Sequence, residues 1–336
     1  YRNRADFWYD ANHQLGFRGK KDQSHAIAVP ACQLVSPHAQ HLYAYLEKRI
    51  PALHFQPYSV LEHRGFLRYL TFRESKTTGQ LVGVFNTFTR EHETEIKNLA
   101  NELIQHALCD GFVWVHNPML NDTVQGTIFK QWGNPILTEK IGGVDFHYDV
   151  NCFFQTNPLA AEKAQQWLVN RVHETNPAAT VLDLYCGVGL FSIPLALKGH
   201  WVKGIELNKD SIIWARKNAD AHGLDDYRIS FEGGDVPTML KEIEKNGEKF
   251  DTIILDPTRS GLSKKIWRRI LRQQPQQIMY VSCNLDALKR DLEWLNEYAE
   301  FTIASAQAFD FYPHTKHVET MVDIRVEKIK EFGKGR

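Results

Sequence analysis

The sequence predicts a doubly wound, Rossmann-like α/β domain over residues 141–336, preceded by an α+β domain over residues 1–140. Three observations carry that expectation. From about residue 150, apolar strands alternate with helical patterns across short turns, the grammar of a parallel sheet with helices on both faces. Before residue 140 the pattern is strands and hairpins with one good helix. The 336 residues also suffice for two domains of about 100–200 residues each.

In the first half, "RADFWYD" alternates, "ANH" turns and "QLGFRGK" returns. "FLRYLTFRES" and "QLVGVFNTFT" bracket the turn "KTTG" in the same way. "ETEIKNLANELIQHAL" carries Ile96, Leu99, Leu103, Ile104 and Leu108 at helical spacing. "GFVWVHN" and "TVQGTIFKQWG" read as further strands. The second half runs helix "LAAEKAQQWLVNRVHE", strand "TVLDLY", turn "CGVG", helix 190–198, strand "WVKGIE", helix 209–222 and strand "RISF". It continues with strand "DTIILD", a helix from Lys264, strand "QIMYVSC" and helix 284–296, and closes on strands "FTIASAQAF" and "VETMVDIRV".

Composition bounds the function only loosely. Hydrophobic residues make up 43% and charged residues 24%, ordinary for a soluble globular chain. Lys plus Arg and Asp plus Glu are 40 each, so net charge neither favours nor excludes nucleic acid, which needs only a local basic face. Arg2, Arg4, Trp8, Arg18, Lys20 and Lys21 are the exposed-looking basic and aromatic residues that would suit such a face, although a solvated surface explains them too. The five cysteines (Cys32, Cys109, Cys152, Cys186, Cys283) are odd in number and form no C-x-x-C pair, which fits a reducing cytoplasm. No apolar run of membrane-spanning length and no signal peptide is visible. The chain opens on Tyr1 rather than Met, as a fragment missing its own N-terminus would.

Ligands of doubly wound sheets bind beyond the carboxyl ends of the strands. Asp183 to Gly189, Glu206, Asp256 and Cys283 all fall at such ends. In "LDLYCGVGLF", Gly187 and Gly189 allow close backbone approach and positive φ. Glu206 ends the next strand, nineteen positions after Gly187, where a carboxylate can accept from both hydroxyls of a ribose. A nucleoside-containing cofactor is expected. The turn reads G-V-G-L-F-S and lacks the dinucleotide pattern G-x-G-x-x-G. D-x-x-C-G-x-G is instead the looser turn of class I methyltransferases that use S-adenosylmethionine. Two closing strands, the last antiparallel, suit that class as well.

The target atom then decides the chemistry. The corner after the fourth strand reads "LDPTRSGL", with Asp256 and Arg259 but without the aromatic clamp of nucleobase amine methylation. Oxygen targets need a base but no thiol. Carbon 5 of a pyrimidine becomes nucleophilic only after a thiolate adds to carbon 6, and a base must later remove the carbon-5 proton. Cys283, at a strand end, is the candidate thiolate. A small buried hydrophobe is the ordinary fate of a free cysteine, and that reading stands for Cys109, Cys152 and Cys186. The base candidate is Glu319 in "FDFYPHTKHVETM", which hairpin geometry can return to the ligand edge. His314 and His317 flank it, but a metal normally needs three or four ligands and no further one is evident, so they read as packing or substrate contacts.

Five ordered motifs, "CFFQTNP", "LDLYCGVGLFS", "LDPTRSGL", "YVSCNLDALKRDL" and "DFYPHTKHVE", resemble those of the RNA uridine-carbon-5 methyltransferases, which form 5-methyluridine in tRNA or large-subunit rRNA. The match runs over roughly residues 150–325 and more loosely into the first half, where "YRNRADF" is like the family's entry to its RNA-contacting central domain. The resemblance implies Cys283 as nucleophile and Glu319 as base. It implies Gln155, Tyr185, Leu190, Glu206 and Asp256 as contacts to S-adenosylmethionine, Leu190 through its backbone. The family's cytosine enzymes carry a second Cys in the "DP" corner; Thr258 and Arg259 stand there, which favours uracil. Where relatives have Asp-Pro-Pro-Arg, this chain has Asp256-Pro257-Thr258-Arg259. Many relatives also hold an iron–sulfur cluster. Cys32 in "VPACQLVSP" is like its fourth ligand, but a cluster would require further cysteines upstream.

An RNA substrate, no membrane and a monomeric chain in the cytoplasm are therefore expected. Two other readings compete: a methyltransferase for a small molecule, and a catalytically silent RNA-binding relative. The retained Cys283 and Glu319 argue against silence, and the size of the first half argues weakly against a small substrate.

Overall fold

The computed structural model describes residues 1–19 and 25–331; Lys20 and Lys21 lie outside the described residues. The described residues fall into two compact units, one within 1–139 with 147–151 and the other within 140–146 with 152–336.

The first unit is built on β1 (Arg4–Tyr9), β2 (Leu15–Arg18), β3 (Ala26–Ile27), α1 (Pro37–Arg49), β4 (Leu67–Glu74), β5 (Leu81–Thr87), α2 (Glu93–Gln105), β6 (Gly111–His116) and β7 (Thr127–Gly133). Its sheet runs β3-β2-β1-β4-β5-β6-β7. β1 alternates: Ala5, Phe7 and Tyr9 are buried, while Arg4, Asp6 and Trp8 face the other way. The buried set packs with Leu42 and Leu46 of α1 and Ile96, Leu99 and Leu103 of α2 in one apolar core. α1 is a helix the sequence reading passed over. Ser36 caps it by accepting from the Ala39 amide, Pro37 opens it, and Ala39, Leu42, Tyr43 and Leu46 form its buried stripe. The hairpin of β8 (Leu137–Ile141) and β9 (Val144–Tyr148) was passed over too, despite its Gly142-Gly143 turn with both φ positive.

Arg2, Arg4, Trp8 and Arg18 are half-buried rather than exposed. The reason is local pairing: Arg4 bonds Asp6 at 3.0 Å, and Arg18 pairs with Asp122 while its guanidinium lies 4.6 Å over the Trp8 ring.

The second unit continues with α3 (Pro158–Thr175), β10 (Thr180–Leu184), α4 (Ser192–Leu197), β11 (Trp201–Glu206), α5 (Lys209–Ala221), β12 (Ile229–Gly233) and α6 (Val236–Asn246). Then follow β13 (Thr252–Leu255), α7 (Lys264–Arg272), β14 (Gln277–Ser282), α8 (Leu285–Tyr298), β15 (Ala299–Phe309) and β16 (Glu319–Ile329). The strand order is β12-β11-β10-β13-β14-β16-β15. β10 pairs in parallel with β11 and β13, and β16 inserts antiparallel to β14. This is the doubly wound sheet with antiparallel closing strands that the alternation predicts. α6 is the one helix of this half missing from the sequence reading, although Asp235 caps it, Pro237 lies in its first turn and Gly247 ends it at φ +71°. Because β10 runs between parallel neighbours, the turns after β10, β11, β13 and β14 all open at one edge of the sheet. That edge holds the candidate residues.

Candidate active site

The first corner of the edge forms where β10 and β11 end. Tyr185 leaves β10 in the left-handed region, at φ +70°, a conformation that costs a non-glycine residue on the order of 1–3 kcal/mol. It is held there by amides of Tyr185 and Cys186 that both donate to the Ile205 carbonyl, at 2.9 and 3.1 Å. The chain then turns through Gly187 (φ +55°) and Gly189 (φ +94°). A Cβ on Gly187 would meet no protein atom within 4 Å, so this glycine faces the pocket lined by Phe153, Phe154, Gln155, Tyr185, Leu190 and Asp256.

Glu206 closes β11 beside it. One carboxylate oxygen accepts from the Gly187 amide at 3.1 Å and the other from the Asn208 amide at 2.8 Å. A carboxylate offers about four acceptor sites, so capacity for two hydroxyls remains. Leu190 presents its carbonyl to Gln165 Nε2 at 2.9 Å, which commits one lone pair and fixes the backbone there. Asp183 is fully buried; Ser192 Oγ donates to its Oδ2 at 2.5 Å, whereas Oδ1 has no partner among the described residues. Burial pushes its carboxyl up to about 7, with Glu206 adding to the rise. Glycine backbone facing a pocket, a half-used carboxylate and an unsatisfied buried acid suit a polar nucleoside with a cationic amino-acid arm, and S-adenosylmethionine has that donor set.

The second corner forms where β14 and β16 meet. Ser282 is paired with Thr320 in the antiparallel register, so one step further Cys283 stands opposite Glu319. The hairpin return expected from the sequence therefore brings these two residues together. Cys283 is half-buried, whereas Cys32, Cys109, Cys152 and Cys186 are buried. Its thiol is pushed above the ordinary range by burial, then by the charges of Glu319 and Asp256, and Arg259 pulls the other way. Glu319 is buried, with its carboxyl raised to about 7 by desolvation. Asp256, at the end of β13, links the two corners: burial raises it well above a usual carboxylate, and Glu319, Asp183 and Glu206 each add to the rise. A protonatable acid poised near 7 beside a thiol is what proton abstraction at neutral pH requires.

The edge thus gathers Gln155, Tyr185, Leu190, Glu206, Asp256, Cys283 and Glu319, the residues singled out in the sequence. His314 is exposed, and His317 stacks edge-on near Tyr312. Among the described residues no group of three or more His, Cys, Asp or Glu could hold a metal. Cys32 packs in the first unit's core and joins no group of three or more metal-binding side chains among the described residues. Residues that sequence reasoning missed are Phe153, a 58% exposed aromatic at the pocket, and Gln165. The latter is a polar residue on the buried stripe of α3 with Ala161, Ala164 and Leu168; that break in the stripe was the available signal.

Residues 136–326 match the tRNA (uracil-5-)-methyltransferase family. A tRNA (uracil(54)-C(5))-methyltransferase from Pyrococcus furiosus is 33% identical over 326 residues, 97% of this chain and 73% of the relative. The crystal structure of Pyrococcus abyssi tRNA (uracil-54, C5)-methyltransferase, in complex with S-adenosyl-L-homocysteine, superposes with a TM-score of 0.77 at 30% identity, covering 96% of this chain and 75% of that one. A putative S-adenosylmethionine-dependent methyltransferase from Streptococcus mutans shares the fold alone, with a TM-score of 0.54 at 14% identity over 97% and 92% of the two chains. Among the described residues no helix is long and apolar enough to cross a membrane.

Proposed function

The chain belongs to the tRNA (uracil-5-)-methyltransferase family, and from that premise we propose that it methylates carbon 5 of a specific uridine in RNA, with S-adenosylmethionine as methyl donor and Cys283 as a covalent nucleophile. The observation that carries this reading is the meeting of Cys283 and Glu319 across the β14–β16 register, beside Asp256. tRNA is the favoured substrate over rRNA, because relatives at 30–33% identity are named as tRNA uracil-54 methyltransferases. The second unit performs the transfer and residues 1–140 contact the RNA. A cytoplasmic, monomeric enzyme goes with that substrate.

When bound, S-adenosylmethionine supplies an electrophilic sulfonium methyl. Glu206 and the Gly187 turn hold its ribose end, while Gln155, Tyr185, Leu190 and Asp256 line its seat. Burial and two neighbouring carboxyls keep Cys283 a thiol at neutral pH, so loss of its proton precedes attack. The thiolate adds to carbon 6 of the uracil, and the electron pair moves toward carbon 5. Once carbon 5 carries its new methyl, Glu319 takes the carbon-5 proton, the ring double bond re-forms and Sγ departs.

Incubation with methyl-labelled donor and either tRNA or large-subunit rRNA, followed by nucleoside mass analysis, tests this. Label in 5-methyluridine from tRNA is expected. Label in rRNA alone would reassign the substrate, and label in neither would remove the RNA reading.

A further inference from the structure

A buried carboxylate behind the nucleophile organises the loop between β13 and α7. That loop turns at Thr258–Gly261, where the Gly261 amide donates to the Thr258 carbonyl at 2.8 Å. Gly261 has φ +71°, and a Cβ there would lie 2.5 Å from Asp291 Oδ2, so the loop and α8 are in close contact. Asp291 is fully buried on α8. Its Oδ2 accepts from the Leu262 amide at 2.7 Å and from Tyr280 Oη at 2.6 Å. Its Oδ1 accepts from Arg290 Nε and Nη2 at 3.0 and 2.7 Å, and Arg290 Nη2 also donates to the Ser260 carbonyl at 2.6 Å. On the other flank Asn284, the residue after Cys283, donates from Nδ2 to the Arg259 carbonyl at 3.1 Å.

The loop is therefore pinned at Arg259 itself, at Ser260 and at Leu262 to the segment that follows the nucleophile. The Arg259 side chain is exposed. Arg290, which bonds the same loop, is paired with Asp291, whereas Arg259 has no ion pair or hydrogen-bond partner for its guanidinium among the described residues. A solvated arginine on a loose loop would need no account. An unpaired one on a backbone fixed by four hydrogen bonds is preorganised for a ligand. A guanidinium stays protonated across the working pH range, so the ligand it takes is an anion. A guanidinium at the rim offers the planar fork that takes a phosphate bidentately.

We propose that Arg259 is a phosphate-binding arm that takes an RNA phosphate beside the target uridine, with Asp291 as the positioning residue that fixes its loop. This rests on the reading that the substrate is RNA. Phosphate contacts set register without reading sequence, which is the task left over when the base itself enters the site.

The test measures RNA affinity and methyl transfer across a salt series for the wild type, Arg259→Gln, Arg259→Lys, Asp291→Asn and the Arg259→Gln/Asp291→Asn double variant, with donor affinity as the report of folding. Arg259→Gln should weaken RNA binding about tenfold and flatten the slope of log affinity against log salt by about 0.7, the share of one phosphate on a single strand. Arg259→Lys should keep the slope. If Asp291 acts through Arg259, the double variant binds RNA no more weakly than Arg259→Gln alone, whereas a merely structural Asp291 gives additive losses. An unchanged slope in Arg259→Gln overturns the arm, and this exposed position decides the matter even where Asp291→Asn unfolds. Wild-type methylation of RNA together with an unchanged slope sinks the arm alone; a wild type that binds donor but methylates no RNA sinks the RNA reading and the arm with it.

Discussion

The corner after β10 and the corner after β14 are built from the same residue types and differ in what those residues are free to do. Each places a cysteine just past a parallel strand and a carboxyl raised to about 7 near it, Cys186 with Asp183 in one and Cys283 with Glu319 in the other. In the first corner the cysteine and its acid are shut away from solvent. Cys186 is buried against Gly204, where a Cβ would come within 2.8 Å of its sulfur, and its thiol is pushed well above the ordinary range by burial. Asp183 is locked to Ser192. In the second corner Cys283 is half-open, an unpaired Arg259 lies nearby, and Glu319 has no hydrogen bond to its carboxylate among the described residues. A strand end is thus not sufficient for reactivity; what decides is access and the absence of committed partners.

The largest effect should come from Cys283→Ala, which removes the proposed nucleophile. Loss of a covalent nucleophile should lower the methyl-transfer rate by many orders of magnitude, far beyond the tenfold that each 1.36 kcal/mol represents, while donor affinity survives. Cys186→Ala should cost activity far less. Equal losses in the two variants at matched folding would erase the distinction between the corners.

Next in size is Glu319→Gln, which keeps shape and hydrogen bonding but cannot take the carbon-5 proton. Turnover should fall by roughly 10²–10⁴, and a methylated RNA–protein adduct should accumulate because the thiol has no route out by elimination. Denaturing gels should show a shifted band carrying label from the donor, lost when Cys283→Ala is added. A variant that turns over normally would place the base elsewhere, with His314, His317 and Asp256 next to be tried.

Glu206→Ala probes the first corner. Its carboxylate loses its backbone bonds to Gly187 and Asn208 and two further acceptor sites, each worth about 1.5–3 kcal/mol at most toward a charged acceptor. Donor affinity measured by calorimetry should fall at least tenfold, with little change in RNA affinity. Unchanged donor affinity would remove Glu206 from the ribose seat.

Much of this contrast was legible in the sequence, and the reason is topological. Parallel strands force their carboxyl-terminal turns to one edge, so the strand readings alone gathered Asp183, Glu206, Asp256 and Cys283 there. The Pro-containing "FDFYPHTKHVETM" return brought in Glu319. The misses have two causes. α1, α6 and the Leu137–Tyr148 hairpin carried complete local signals (Ser36-Pro37, Asp235 with Gly247, Gly142-Gly143) that were passed over. The other cause lies beyond local pattern: the burial that lifts Asp183 and Glu319, the pairing of Arg4 and Arg18, and the Asp291 clamp all depend on residues distant in the chain.

The smallest effect is on stability, and its sign separates a free carboxyl from a useful one. The folded Glu319 carboxyl titrates at about 7, above its ordinary 4.5. Its neutral form is therefore the one the fold prefers, and the folded state holds a proton that the unfolded state has released. Stability from this group is fully present below about pH 4.5 and is lost as pH rises through about 7. A shift of roughly 2.5 units corresponds to about 3 kcal/mol. Glu319→Gln stays neutral throughout, so its stability should lack that decline. Denaturant unfolding at pH 4 and at pH 8 should find variant and wild type nearly alike at the lower pH, with the variant more stable by up to about 3 kcal/mol at the higher one. A carboxyl retained at such a cost where an amide would fold better is retained for its proton. Equal stabilities at pH 8 would mean that Glu319 is solvated and ordinary, and the two corners would then differ only in their thiols.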